Sequence, residues 1–198
     1  MSVSAETLGA LIDAVTADLI AHADELTALD SAIGDADHGI NMRRGAEAVR
    51  AERDALAAKP LSDALKAIGT KLVMTVGGAS GPLYGTLALS LAKELPAASF
   101  AEAFGKAADA VAARGKSQVG QKTMLDVLYP LADAIRSGTA ASELPAIAER
   151  AAQGTIPLKA IRGRASFLGD RSIGHMDPGS RSVSLITAAI VRTLESES

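Results

Sequence analysis

The sequence predicts an all-α fold, with eight helices packed as an antiparallel barrel or bundle. Three observations carry that prediction. Hydrophobic residues make up 48% of the 198 residues but aromatics only 3%, so the apolar content is mostly alanine, leucine, isoleucine and valine. Alanine is the strongest helix former and lets helices approach closely. Apolar residues recur at three- and four-residue spacing, and no alternating run of strand type, nor any internal repeat, competes with that period. The length fits one domain over 1–198 with a sizeable core.

The elements follow in order. Leu8, Leu11, Ile12, Val15, Leu19 and Leu26 form one stripe and predict a first helix over roughly 4–28. A loop with Gly34 and Gly39 leads to a second helix from about Ile40 to Ala58, ended by Pro60. Ser62 or Asp63 caps a third near 62–76, and Gly77 and Gly78 break the chain. A fourth starts at Pro82 with Ser80 or Gly81 as its cap, because proline suits the first helical turn. Beyond Pro96, Ser99 and Glu102 have capping-box spacing for a fifth helix, which Gly115 caps at its end beside Arg114. The sixth, seventh and eighth are read at roughly 122–136, 142–160 and 180–195, with Pro130 and Pro157 inside the first two. A long glycine-containing loop spans about 161–179. Short links between helices of similar length suggest the antiparallel packing.

Composition excludes several classes of function. The chain has no cysteine, hence no disulfide, thiolate zinc site or cysteine nucleophile. Twenty basic against twenty-three acidic residues give a net charge of −3. With no one-sign stripe and few stacking aromatics, nucleic-acid binding is not expected. The start, Met1 to Glu6, lacks the basic and apolar pattern of a signal peptide, and no apolar run approaches a membrane span. The expectation is a soluble, cytoplasmic chain with no membrane partner.

The unusual chemistry lies in four interhelical segments. Asp30, Asp35 and Asp37 fall within the eight residues 30–37 of a glycine-bent loop. Crowded carboxylates of this kind repel unless a cation lies between them, and hard oxygen ligands suit Mg²⁺ or Ca²⁺. An EF-hand loop counted from Asp35 fails, because its twelfth position is Ala46. The competing reading is that the aspartates solvate a turn, with Asp37 or His38 capping the next helix.

The second segment, Gly77-Gly78-Ala79-Ser80-Gly81-Pro82, leads small residues into a helix start, where backbone N–H groups can meet an anion. It is no serine-hydrolase elbow, since Pro82 replaces the final glycine. In the third, Gly115-Lys116-Ser117 resembles part of a P-loop, but Ala110 stands where the motif needs glycine and a helix precedes it. Its alternatives are a plain helix end or a contact to a nucleotide, with Gly120 to Met124 just beyond. The fourth segment gathers Lys159, Arg162, Arg164 and Arg171, forked or point donors suited to phosphate oxygens if not simply solvated. Together an acidic metal loop, an anion-binding helix start and a basic loop are the parts of a magnesium–nucleotide site. His22 reads as structural or exposed, whereas His38 and His175 lie in the special loops and are candidates to touch nucleotide or phosphate.

In Asp30 to Asn41, Gly77 to Thr86, Arg114 to Met124 and Arg162 to Gly179, in that order, the sequence resembles the L-subunit family of dihydroxyacetone kinases. The resemblance covers essentially the whole chain. It implies an eight-helix antiparallel barrel with ADP or ATP at one end and two magnesium ions between its phosphates and Asp30, Asp35 and Asp37. It further implies that His38, Gly39, Ile40, Asn41, Ala79, Ser80, Gly115, Met124, Arg164, Asp177, Pro178 and Gly179 contact the nucleotide, with Arg164 stabilising the transferred phosphate. In that family the L domain is either fused to a dihydroxyacetone-binding domain or free. A chain this short implies the free subunit, working with a separate K subunit and rephosphorylated by a phosphohistidine-bearing M subunit of the phosphotransferase system. The same domain type also serves kinases for other small ketoses or acyl acceptors. A nucleotide-sensing module without catalysis is the alternative of a different class.

Overall fold

The computed structural model describes residues 3–197, so Met1, Ser2 and Ser198, the ends of the expected 1–198 domain and of the N-terminal stretch read above, lie outside the described residues. The described residues form an all-helical chain of ten α-helices: α1 Ala5–Ala21, α2 Ala23–Ile33, α3 His38–Arg50, α4 Arg53–Ala57, α5 Leu61–Thr75, α6 Ser80–Glu94, α7 Phe100–Gly115, α8 Leu125–Arg136, α9 Leu144–Gln153 and α10 Pro178–Ser196. Two 3-10 segments, Ala141–Glu143 and Arg164–Ser172, complete the list. No helix among the described residues is long and apolar enough to cross a membrane.

Packing follows chain order. Helix α1 packs on α3, α3 on α5, α5 on α6, α6 on α7, α7 on α8, α8 on α9 and α9 on α10, which returns to α1. The apolar stripes meet in one main core that includes Leu19, Leu26, Met42, Val111, Leu125, Leu128 and Val183. A smaller cluster of Leu8, Ile12, Val49, Leu56 and Ala64 fills the space between α1, α3, α4 and α5. Alanines 103, 107, 108, 148 and 152 are fully buried, which is why so few aromatics suffice.

Several boundaries depart from the sequence reading, each for a local reason. The first helix is broken at His22, whose imidazole Nδ1 lies 2.8 Å from the Asp18 carbonyl oxygen and competes for it with the helix ladder. The second begins earlier, at His38, and splits after Arg50. Asp37, one of the two candidates, holds the N-cap position, but its side chain makes no cap bond; the capping carboxylate is Asp30, whose Oδ2 accepts the Asp37 and His38 amides at 2.8 and 3.1 Å. The fifth predicted helix ends at Gly115 as expected, but the glycine is not its cap. It is the last helical residue, and Lys116 takes the left-handed cap position with φ 49°. The predicted capping box at Ser99 and Glu102 is present in full.

Helix α8 starts at Leu125, later than expected, because residues before it form a turn held by Asp126. It accommodates Pro130 in its interior. Helix α9 stops at Gln153 and passes into turns before Pro157. The last helix starts at Pro178 with Asp177 as its N-cap, Oδ2 accepting the Ser180 amide at 2.6 Å.

Candidate functional site

Four interhelical segments far apart in sequence meet at one cleft of about 340 Å³. Asp30, Asp35, Asp37 and His38 form one wall, Gly78 to Ser80 another, and Arg114, Gly115, Ser117 and Lys122 to Met124 a third. Arg162, Gly163 and Arg164 with Asp177, Pro178 and Gly179 close the fourth side.

The carboxylates converge as their spacing suggested. One oxygen from each of Asp30, Asp35 and Asp37 can lie within 4.8 Å of the other two. Asp30 is buried, Asp37 half-buried and Asp35 exposed. The two amides held by Asp30 Oδ2 orient that carboxylate and offset part of its charge, while its Oδ1 faces Gly34. A side chain at Gly34 would meet that oxygen at 2.0 Å, so the glycine is sterically required. Three oxygen donors, one pre-oriented and two accessible, fit a hard divalent cation that keeps positions open for phosphate and water.

Opposite them, Gly78 has φ 62° and brings the backbone entering α6 against the Asp37 carboxylate, 3.5 Å from the place a Cβ would take. The amides at the start of α6 thus lie beside the carboxylate cluster, and a helix N-terminus favours an anion. Asn41 does not line the cleft. Its Oδ1 would lie 2.7 Å from a Cβ on Gly77, so it supports the glycine turn from behind. Gly39 faces away too, where a Cβ would meet the Ala23 carbonyl at 1.9 Å, allowing α2 and α3 to touch. Ile40 is 53% exposed and likewise outside the cleft. The other residues that the resemblance assigned to nucleotide, His38, Ala79, Ser80, Gly115, Met124, Arg164, Asp177, Pro178 and Gly179, all line it.

His38 is held at both ring nitrogens. Nδ1 lies 3.0 Å from Ser80 Oγ and Nε2 3.0 Å from Ser182 Oγ. Ser182 gives its proton to the Pro178 carbonyl, and the Tyr84 hydroxyl lies 2.6 Å from its oxygen. Burial lowers the His38 pKa to about 4, against an opposing pull from Asp30, so the ring is neutral at physiological pH and joins the starts of α3, α6 and α10. Burial raises Tyr84 well above its ordinary range, which keeps its phenol a donor. Neither Tyr84 nor Ser182 was legible as part of the site; the available signal was Ser180, Ser182 and Ser184, three buried serines at alternate positions near the start of α10. His175, by contrast, is exposed and lies outside the cleft.

Apolar Pro82, Leu83, Val111, Met124 and Leu125 line the cleft together with its charged groups. Arg164 Nε lies 3.0 Å from Asp35 Oδ2. Lys159 turns away from the cleft to Asp170, at 2.8 Å. A ligand with an apolar portion and an anionic, metal-chelating portion matches this mixed lining.

Comparison with known proteins gives one consistent family. Residues 32–192 match the model of the DAK2 domain. The chain is 44% identical over 172 residues to the PEP-dependent dihydroxyacetone kinase ADP-binding subunit DhaL of Escherichia coli, covering 80% of this chain and 82% of that one. It is 43% identical over 173 residues to the corresponding subunit of kinase 1 of Listeria innocua, covering 85% and 86%. The crystal structure of the dihydroxyacetone kinase from C. freundii, in complex with AMP-PNP and Mg²⁺, superposes with a TM-score of 0.79 at 23% identity, a likeness of fold. That match covers 97% of this chain and 34% of the longer kinase chain.

Proposed function

The chain belongs to the DAK2 domain family, among the ADP-binding DhaL subunits of PEP-dependent dihydroxyacetone kinase, and on that premise we propose that it is the nucleotide-carrying phosphotransferase subunit of such a kinase. The observation that carries the site assignment is the convergence of Asp30, Asp35 and Asp37 on a cleft with a helix N-terminus on one side and Arg164 on another. Phosphoryl transfer is mostly positioning and charge neutralisation, and those groups supply both.

In this reading the three carboxylates hold magnesium, two ions in all, against the diphosphate of ADP or the triphosphate of ATP. The amides at Ala79 and Ser80 meet phosphate oxygens, with His38 fixing the Ser80 hydroxyl. Gly115 and Met124 border the base, and Asp177, Pro178 and Gly179 close over the nucleotide at the head of α10. Arg164, paired with Asp35 in this structure, would be the guanidinium placed to meet the transferred phosphate. The cycle of helices from α1 through α3 and α5 to α10 supports an eight-helix antiparallel barrel, with residues 1–198 as one domain and α2 and α4 as additions. A K subunit carries dihydroxyacetone, an M subunit of the phosphotransferase system renews the phosphate, and the setting is the cytoplasm.

The test is reconstitution. Label from radioactive phosphoenolpyruvate should reach dihydroxyacetone only when this chain, a K subunit and the phosphotransferase proteins are all present. Label that reaches the sugar without this chain, or a chain that binds nucleotide but never transfers, sinks the proposal and leaves a sensor.

A further inference from the structure

We propose that Lys122 is a positioning residue, whose ammonium ties together the three segments that build the nucleotide side of the cleft. The proposal rests on the nucleotide reading given above. Lys122 is only 2% exposed, although lysine is among the residues least often buried. Its Nζ donates to the carbonyls of Thr155 at 2.8 Å, Leu158 at 3.2 Å and His175, with the Ile156 carbonyl at 3.4 Å. An ammonium has three protons to donate, and three carbonyls take them.

The carbonyls come from backbone that no regular element holds. Thr155, Ile156 and Leu158 lie beyond the end of α9, and His175 lies two residues before the Asp177 cap of α10. The neighbours of Lys122 extend the same junction. The Gln121 carbonyl accepts the Ile161 amide at 3.2 Å, at the head of the segment bearing Arg164. The Thr123 carbonyl accepts the Ser180 hydroxyl at 2.9 Å, and the Asp177 amide donates to Thr155 Oγ1 at 2.9 Å. Lys122 and its chain neighbours therefore join residues 121–124, 155–161 and 174–180, each of which leads into the lining of the cleft.

Two costs indicate that the position is specified by function of this kind and not by a simple turn. Lys122 has φ 60°, a left-handed backbone that side-chain-bearing residues adopt rarely. Burial also pushes its pKa below the ordinary lysine range, against the pull of Asp177 and Asp126. The ammonium is fully engaged by carbonyls, so it serves the ligand through Asp177 to Gly179 and the Arg164 segment, without touching phosphate itself. The metal-binding wall on α2 and α3 makes no hydrogen bond with it; its own start is held by Asp30.

The experiment uses the full chain, with Lys122→Met and, as a milder change that keeps two N–H donors, Lys122→Gln. Amide hydrogen exchange without ligand is expected to accelerate by about tenfold or more at Ile161, Gly174 and Asp177, with Asp37 and His38 unchanged. Mg-ADP titration should give a Kd raised by about tenfold or more, the loss expected for a charge-assisted contact. Mn²⁺ binding without nucleotide, read by electron paramagnetic resonance, should be unchanged. Wild-type exchange at Gly174 and Asp177 in a folded variant overturns the proposal. So does equal acceleration at Asp37 and His38, or equal loss of Mn²⁺, which would make Lys122 a general stabiliser. Failure of the wild-type chain to bind Mg-ADP tells against the nucleotide reading instead, and the exchange pattern then still decides the role of Lys122.

Discussion

Asp30 on α2 caps α3, a helix it does not belong to, by accepting the amides of Asp37 and His38 on a single carboxylate oxygen. One side chain thus joins fold to function: it fixes the start of α3 and, by the same bonds, brings Asp37 within metal-sharing distance of itself. The three aspartates are therefore not equivalent, although they are the same residue type within eight residues: Asp30 lies in α2, and Asp35 and Asp37 lie in the loop after it.

That difference is measurable. Asp37→Ala should abolish Mg-ADP retention while leaving the ligand-free melting temperature unchanged or slightly raised, because a repelling charge is removed. Asp30→Ala should abolish retention and also cost about 1 kcal/mol of ligand-free stability, the ordinary worth of a helix cap. Helical content by circular dichroism should persist in both. An Asp37→Ala chain that holds ADP at wild-type affinity in magnesium contradicts the metal assignment.

Removing the ligands should itself destabilise the fold. A ligand that binds only the folded chain adds RT ln(1 + [L]/Kd), about 4 kcal/mol at a thousandfold excess. For a chain of this length that corresponds to a shift of roughly 8 °C or more. Calorimetry before and after chelation and nucleotide removal measures it, and coincident curves would exclude a bound Mg-nucleotide.

The Asp177 carboxyl gives a pH dependence. Burial raises it from 3.8 to about 6, against the Ser180 hydrogen bonds and the pull of Lys122. A raised acid binds more protons folded than unfolded, so its contribution favours folding at low pH and is lost as pH rises from about 4 to about 6. The upper bound is roughly 3 kcal/mol. Between pH 4 and 7 the ligand-free Asp177→Asn chain should therefore lack a downward component of stability that the wild type has. Parallel stability curves for the two chains would rule this out.

How far the sequence foretold the molecule depended on whether the cause was local. The capping box at Ser99 and Glu102 is set by residues three apart and was legible. So was the carboxylate cluster, since Asp30, Asp35 and Asp37 crowd within eight residues around the turn from α2 into α3. His22 was not legible as a break, because a histidine stealing the Asp18 carbonyl looks in sequence like any polar helix residue. Asp30 as a cap and Lys122 as an anchor were hidden for another reason: their partners are brought to them by tertiary packing, and a lone lysine in a loop usually means solvent. At Gly39, read through a resemblance as a ligand contact, the missing side chain also has a packing role that no sequence pattern announced: it lets α3 lie against Ala23.

Arg164 provides the sharpest separation of site from scaffold. It is the only guanidinium paired with the carboxylate cluster among the described residues, its side chain is 68% exposed, and it lies in a 3-10 segment between Gly163 and Ala165. An exposed ion pair of this kind contributes about 0–1 kcal/mol to folding. A charge-assisted contact to the transferred phosphate is worth about 1.5–3 kcal/mol, roughly ten- to a hundredfold in rate or affinity. The two values differ enough to decide. Arg164→Lys keeps the charge but lacks the fork that grips two oxygens. It should therefore lower phosphoryl transfer with the K subunit, or Mg-ADP affinity, by that factor, with ligand-free stability nearly unchanged. Full activity in the lysine variant would remove Arg164 from the site. A ligand-free melting temperature lowered by many degrees would make it a structural partner of Asp35 instead, since an exposed pair has too little energy to do that unless the 3-10 segment depends on it.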